Sequence, residues 1–297
     1  MDKLKTIPLR ERKNLYNIHN RIPLTDSKIL SDNPHLEELA DEMVKSRRAG
    51  KEVILLMGAH VIKTGLSDFI IDFIKKGVLT SIAMNGAGAI HDFEIAFIGE
   101  TSEDVAQNIK DGSFGMANET GHYLNKAAKL GAIDGRGYGE SIARIIKDLN
   151  LDYKDNSILY QALINNVPVS VFTAIGTEII YQHPECDGAA LGKSSYTDFL
   201  RFTQTVKNLE QGVVINLGSA VILPEVFLKS LSMARNLGNK VSNITTANID
   251  MINHYRPRVN VVERPTSLGG KGLNIIEKHE KSVPTIHYYI KKSGYIN

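Results

Sequence analysis

Glu52-Val-Ile-Leu-Leu-Met57 runs into Gly58, and Leu79-Thr-Ser-Ile-Ala-Met84 runs into Asn85-Gly-Ala-Gly88. Each is a short apolar run ended by a glycine turn. Neither alternates apolar with polar, so each reads as a strand buried on both faces of a parallel sheet. Between them, Leu66, Phe69, Ile70, Phe73 and Ile74 recur at helical spacing, and Gly77 closes the segment. A helix-like pattern resumes over Ile90 to Ile98. Strand, helix, strand, glycine turn and helix in this order predict a doubly wound, mostly parallel α/β sheet.

The same grammar extends in both directions. Leu36, Leu39, Ala40, Met43 and Val44 predict a helix over His35 to Ala49, with Asn33 or Asp32 as its cap and Gly50 as its stop. Downstream, helices are expected around 102–110, 118–130 and 138–148, then a strand at 167–172. A helix at 196–209, a strand at 212–217, a helix at 224–237 and a strand at 241–247 follow, and the tail from Gly272 is mixed. Residues 1–35, broken by Pro8, Pro23 and Pro34, read as an N-terminal arm. Residues 36–297 read as a single α/β domain, in which the polar, glycine-containing stretch 99–150 is the candidate for an inserted cap or lid.

Composition narrows the function. The 297 residues are 42% hydrophobic and 23% charged, with a formal net charge of +2 from 35 basic and 33 acidic side chains. No charge excess favours nucleic acid, and Arg10-Glu11-Arg12-Lys13 reads as a solvated segment. Cys186 is the only cysteine, so neither an intrachain disulfide nor a thiolate cluster can form. Met1 to Lys13 is too polar for a signal peptide, and no apolar run reaches the roughly 18 residues of a membrane span. The expectation is a cytoplasmic protein.

Ligands of an open parallel sheet lie off the carboxyl ends of its strands. This rule gathers Gly58-Ala59-His60, Asn85 to Asp92, Gly176 to His183, Gly218-Ser219-Ala220 and Thr246-Ala247-Asn248. Backbone N–H groups at Asn85, Gly86, Ala87 and Gly88 could hold a phosphate where a strand hands over to a helix. The G-x-G-x-x-G fingerprint is not completed, because His91 stands at its last position, and no P-loop motif occurs. His91, Asp92 and Glu94 form a candidate acid–base or metal group. His183 with Glu185 and Asp187 forms another, without the spacing of an established metal motif.

Residues 52–98, with Gly58-Ala-His-Val-Ile-Lys-Thr-Gly65 and Gly86-Ala-Gly-Ala-Ile-His-Asp-Phe93, resemble the deoxyhypusine synthase family. The likeness resumes at Ser157 to Val169, Gly176 to His183 and Val213 to Ile222, covering about two-thirds of the chain. It implies a homotetrameric enzyme with a Rossmann-like site for NAD and an amine substrate. It places Gly58, Ala59, His60, Asn85, Gly86, Ala87, Gly88, Gly218, Ser219, Thr246, Asn248 and Asp250 around the dinucleotide, and His91, Asp92, Glu178 and His183 at the chemistry. The family carries its aminobutyl group as an imine on a lysine. Here Leu223 occupies that position, the chain has no tryptophan to pack on a polyamine, and only Glu178, Asp250 and Glu263 remain of an acidic tract.

Lys63 and Lys193 are the candidates to replace the missing lysine, and Arg264 in Arg264 to Gly270 could clamp an anion. The leading expectation is an NAD-dependent transferase or oxidoreductase acting on an amine or amino-acid-like substrate without the lysine imine. A non-catalytic tetrameric binding or regulatory relative is the alternative. A metal-dependent hydrolase using His91, Asp92, His183 and Glu185 is a third.

Overall fold

A computed structural model describes residues 4–297. Six strands form one parallel sheet: β2 (Val53–Met57), β3 (Ser81–Asn85), β5 (Val169–Phe172), β6 (Val213–Leu217), β7 (Thr245–Asp250) and β8 (Lys271–Ile276). A separate antiparallel pair joins β1 (Asn14–Asn17) to β4 (Glu100–Glu103). Along the large sheet the order is β5-β3-β2-β6-β7-β8. The first three strands in the chain therefore build outward one way and the last three the other way, as in a dinucleotide-binding α/β fold. The order reverses between β2 and β6.

Both faces of the sheet are covered, which is why its central strands are predominantly apolar without alternation. All five residues of β2 are buried, as are all five of β6. Val53, Leu55 and Met57 join a core with Leu39 and Met43 of the helix Pro34–Arg48, Phe69 and Ile70 of Ser67–Lys75, and Val283 and Ile286 of His279–Lys292. Ile54 and Leu56 face the opposite core, built from Phe202 and Val206 of Gly188–Lys207 and Phe227 and Leu231 of Ile222–Asn236.

Several elements lie where expected, and some do not. The helix predicted over 102–110 is the strand β4 and a single turn, Val105–Asn108. The strand predicted at 241–247 lies at Thr245–Asp250, and the mixed tail is β8 followed by a helix that contains Pro284. Within 99–150, the helices Asn118–Asp134 and Tyr138–Asp148 contribute Leu124, Ala127, Ile142 and Ile146 to the core. The stretch before them contributes Ser102, Glu103, Val105 and Phe114 to a cavity at the carboxyl end of the sheet. The N-terminal arm wraps its own domain: Leu9 is buried, its N–H donates to Glu119, and β1 pairs with β4.

At the switch point the chain comes closest to itself. Gly58 N–H donates to Leu217 O at 2.9 Å, and a Cβ on Gly58 would lie 2.1 Å from the Gly218 carbonyl oxygen. No side chain fits between two backbones at that distance. Gly58→Ala therefore forces β2 and β6 apart, and we expect a loss of about 3 kcal/mol or more, read as a lower urea midpoint. Gly77→Ala, where nothing lies within 4 Å of the added methyl, serves as the comparison for backbone strain alone.

Candidate functional site

The helix Gly86–Ile98 leaves the carboxyl end of β3 and carries Ala87, Ile90, His91 and Glu94 along one wall of a cavity of about 240 Å³. Asn85 caps it, its side-chain oxygen accepting from Gly88 N–H at 2.8 Å. Glu178, from the segment after β5, lies over its first turn. A Cβ on Gly86 would stand 2.6 Å from Glu178 Oε1, so glycine is what admits this carboxylate. Lys63 enters from the turn after β2, and Ser102, Glu103, Val105 and Phe114 close the far side. Arg12 of the arm completes the wall.

Beneath the cavity lies a sealed ionic cluster. Arg12 donates to both oxygens of Glu94, at 2.9 and 2.6 Å, and lies 3.8 Å from Glu103. The Arg12 and Glu94 side chains are 2% and 1% exposed. Buried charges persist only when they are paired and hydrogen-bonded, and these two are paired with each other through two hydrogen bonds. Glu94 also accepts from Thr120 at 2.9 Å and Thr101 at 2.5 Å, while Arg12 Nε donates to Asn14. Glu103 accepts from Asn108 and from Gly115 N–H. His91 Nδ1 lies 2.6 Å from Thr101 Oγ1. Burial, aided by Lys63 and Arg12 against the pull of Glu94, lowers the His91 pKa to about 4, so the ring is neutral near pH 7. Glu178 is pushed the other way: burial raises its pKa, and its Oε2 has no protein partner.

The predicted catalytic residues thus separate. His91 and Glu178 line the cavity. Asp92 points the opposite way from the same helix, fully buried, accepting from Ser157 Oγ and the N–H groups of Ile158 and Leu159. There it caps the helix Ile158–Ile164, a structural post. His183 is also buried, its Nε2 2.9 Å from Gly115 O, and a Cβ on Gly121 would collide with its ring. It fastens the loop at 115 instead of facing the cavity. Among the described residues no three His, Cys, Asp or Glu side chains are grouped to hold a metal. Glu185 pairs instead with His122 at 2.8 Å, so the hydrolase constellation is not assembled.

The dinucleotide residues separate too. Gly58, Ala59 and His60 face Gly218 and Ser219 across the switch point, and Asp250 ends the next strand. His279, which sequence reading missed, sits over this crevice: its ring is 5.5 Å from His60, and its Nδ1 is buried without a partner. Gly218, with φ of +71°, is the residue that leaves room for that ring. Thr246 and Asn248 lie inside β7, fully buried. Asn248 bridges Asn216 and Asn274 at 2.9 Å on either side, an amide ladder that cross-links three strands. The turn Asn85 to Gly88 already meets oxygen acceptors from Asn85 and Glu178, so a phosphate there would face a carboxylate. The remaining set fits a dinucleotide better: close-approach glycines at the switch point, an orphaned imidazole nitrogen above them, and an acid at the end of β7.

Leu223, at the position of the family lysine, is fully buried among Phe202 and Phe227. Lys193 is exposed on the helix Gly188–Lys207 away from the cavity, whereas Lys63 lines it and forms no ion pair among the described residues. Arg264 donates to Asn260 within its own segment. A larger hollow of about 450 Å³, lined by Val167, Pro168, Glu140 and Arg201, opens at the amino end of β5. It is at the wrong end of a parallel sheet for a ligand site, and its one cation is paired with Glu140. Arg12, Thr101 and Glu103 were not singled out in the sequence. Their only signal is the charge pattern, which long-range pairing made meaningful.

No family model matches the chain, and no curated protein matches it. Among solved structures, a conserved LOR/SDH protein from Methanococcus maripaludis S2 is similar at a TM-score of 0.59 and 17% identity, over 89% of this chain and 69% of that one. AgrE, solved with ornithine and NAD+, is similar at a TM-score of 0.59 and 13% identity, over 89% of this chain but 34% of its own. A protein described as a deoxyhypusine synthase from Entamoeba histolytica reaches a TM-score of 0.44 at 12% identity, too loose to carry an argument. At these identities the likeness establishes the α/β fold with its six-stranded parallel sheet.

The His91 environment predicts a pH dependence. The unfolded chain takes up this proton near the ordinary value of 6.5, the folded protein only near 4. The unfolded state therefore binds more protons between those values, and stability falls as pH drops through that window, by on the order of 3 kcal/mol from this group. His91→Gln removes that contribution. The difference between wild-type and variant unfolding free energies should be constant above the ordinary value and bend below it. Separately, Arg12→Met strands the Glu94 carboxylate and should cost about 3–5 kcal/mol in chemical denaturation, part of it recovered in Arg12→Met with Glu94→Gln.

Proposed function

We propose that the protein is an NAD-dependent enzyme that oxidises a small amino acid or related amine. The observation that carries this reading is the cavity off the carboxyl ends of β3 and β5, lined by one cation without an ion pair among the described residues, one carboxylate and one neutral imidazole. Lys63 is placed to take a substrate carboxylate, and the Glu178 side chain to take its ammonium group. His91, kept neutral by burial, can accept the proton that the ammonium loses. Three of the five Arg12 N–H donors are taken by Glu94 and Asn14, which commits the guanidinium to the ionic cluster.

NAD would be held by Gly58, Ala59, His60, Gly218, Ser219 and Asp250, and when bound it supplies the acceptor for the hydride leaving the amine-bearing carbon. AgrE, solved with ornithine and NAD+, supports the cofactor and the substrate class. Leu223 argues against the lysine imine of the resembled family, since an alkyl side chain in the core can form none. The homotetramer and the cytoplasmic setting belong to the same proposal. No helix among the described residues is long and apolar enough to cross a membrane.

Millimolar NAD+ should raise the melting temperature, because a ligand of the native state alone stabilises it. An unchanged melting temperature would remove the cofactor from the proposal. With a panel of α-amino acids and diamines as substrates, NADH formation should follow amino-acid addition. Glu178→Gln should raise KM about 10- to 100-fold, the worth of a charge-assisted contact.

A further inference from the structure

The hydrogen-bond network under the cavity fixes more than the position of His91. Glu94 accepts two hydrogen bonds on each oxygen: from Arg12 Nη1 and Thr120 Oγ1 on Oε1, and from Arg12 Nη2 and Thr101 Oγ1 on Oε2. An ionised carboxylate is an acceptor only, with about four lone-pair sites, and all four are taken. The Thr101 hydroxyl has a single proton, and the 2.5 Å contact to Glu94 takes it. At 2.6 Å from His91 Nδ1, the same oxygen can then only accept. The proton of the neutral imidazole must therefore lie on Nδ1, which leaves Nε2 as a bare lone pair. Nε2 makes no hydrogen bond within the protein and is not among the buried unpartnered atoms, so it opens toward the cavity that His91 lines.

We infer that Thr101, Glu94 and Arg12 are positioning residues that lock His91 as the Nδ1–H tautomer and present Nε2 to the cavity as a proton acceptor. Each member has a separate task. Arg12 pairs with both oxygens of Glu94 in a place sealed from water. Glu94 orients the Thr101 hydroxyl, and Thr101 orients the ring. Ser102, with φ of +71° in a non-glycine residue, is the strained link between Thr101 and Glu103, and both neighbours are spent on this cluster. Backbone strain of this kind persists where the surroundings over-determine it. A threonine that served packing alone would need neither the hydroxyl nor its direction.

The functional part of this inference rests on His91 being the proton acceptor of the proposed oxidation, but the tautomer does not. The test is therefore spectroscopic first. Long-range proton–nitrogen correlation on protein labelled with 15N-histidine reads which ring nitrogen bears the proton, and His91→Gln identifies the resonance. In the wild-type protein at neutral pH, His91 should carry its proton on Nδ1 with Nε2 unprotonated. A proton on Nε2, or an even mixture, overturns the inference whatever the enzyme does.

Thr101→Val keeps the shape and removes the hydroxyl, and should convert the ring to a mixture or to the other tautomer, whereas Thr101→Ser should retain Nδ1–H. An unchanged His91 signal in Thr101→Val likewise overturns it. Where turnover is measurable, Thr101→Val should lower kcat about 100-fold with KM little changed, and Thr101→Ser should restore it. Absent turnover in the wild-type protein, with the Nδ1–H signal present, would sink the oxidation and leave the positioning network standing.

Discussion

The guanidinium of Arg12 and the carboxylate of Glu94 meet in the bidentate geometry that suits this pair, with both side chains sealed from water. Such a pair gains little over an apolar substitute, yet either member left alone would be a buried, uncompensated charge. That asymmetry organises one whole side of the molecule. It requires the arm to cross the helix Gly86–Ile98 and β4 to lie where Thr101 and Glu103 can reach the same cluster. The cavity above has the wall it has because those three segments can satisfy each other's charges in only one arrangement.

The sheet was legible because its physics is local. Runs such as Val53–Met57, apolar throughout, and Val213–Leu217, apolar but for Asn216, do not alternate, and a strand covered on both faces uses them that way. The pair β1 and β4 was not legible. Asn14–Asn17 and Glu100–Glu103 have no apolar pattern, and what makes them strands is pairing across more than eighty positions. β7 shifted because Asn248 and Asp250 look like loop residues in isolation, while in the sheet Asn216, Asn248 and Asn274 satisfy one another in register.

The site was half legible for a related reason. His91 and Glu178 were found from their place past strand ends. Asp92 and His183 satisfied the same rule, but their burial turns them toward a helix terminus and a loop carbonyl, which spacing does not reveal. Arg12 read as one cation in a solvated basic run. No local signal distinguishes it from Arg10 or Lys13, since its meaning comes from an acid eighty-two positions away. The switch point shows the opposite case. Gly58 and Gly218 were read as glycines of the dinucleotide loops, and their geometry shows a further constraint, the close approach of two backbones.

The arm also bears on the order in which the molecule assembles. During synthesis it leaves the ribosome before the segments it pairs with: Glu94 lies 82 positions after Arg12, and Glu119 lies 110 after Leu9. Until Glu94 has emerged, Arg12 has no carboxylate of that helix to hold. Closing a loop of that length costs about 4 kcal/mol of chain entropy, which contacts already made elsewhere must offset. The sheet can nucleate from neighbouring strands without the arm. The cavity wall therefore depends on contacts distant in sequence, and its opening is the local event to which the His91 ring is most directly exposed.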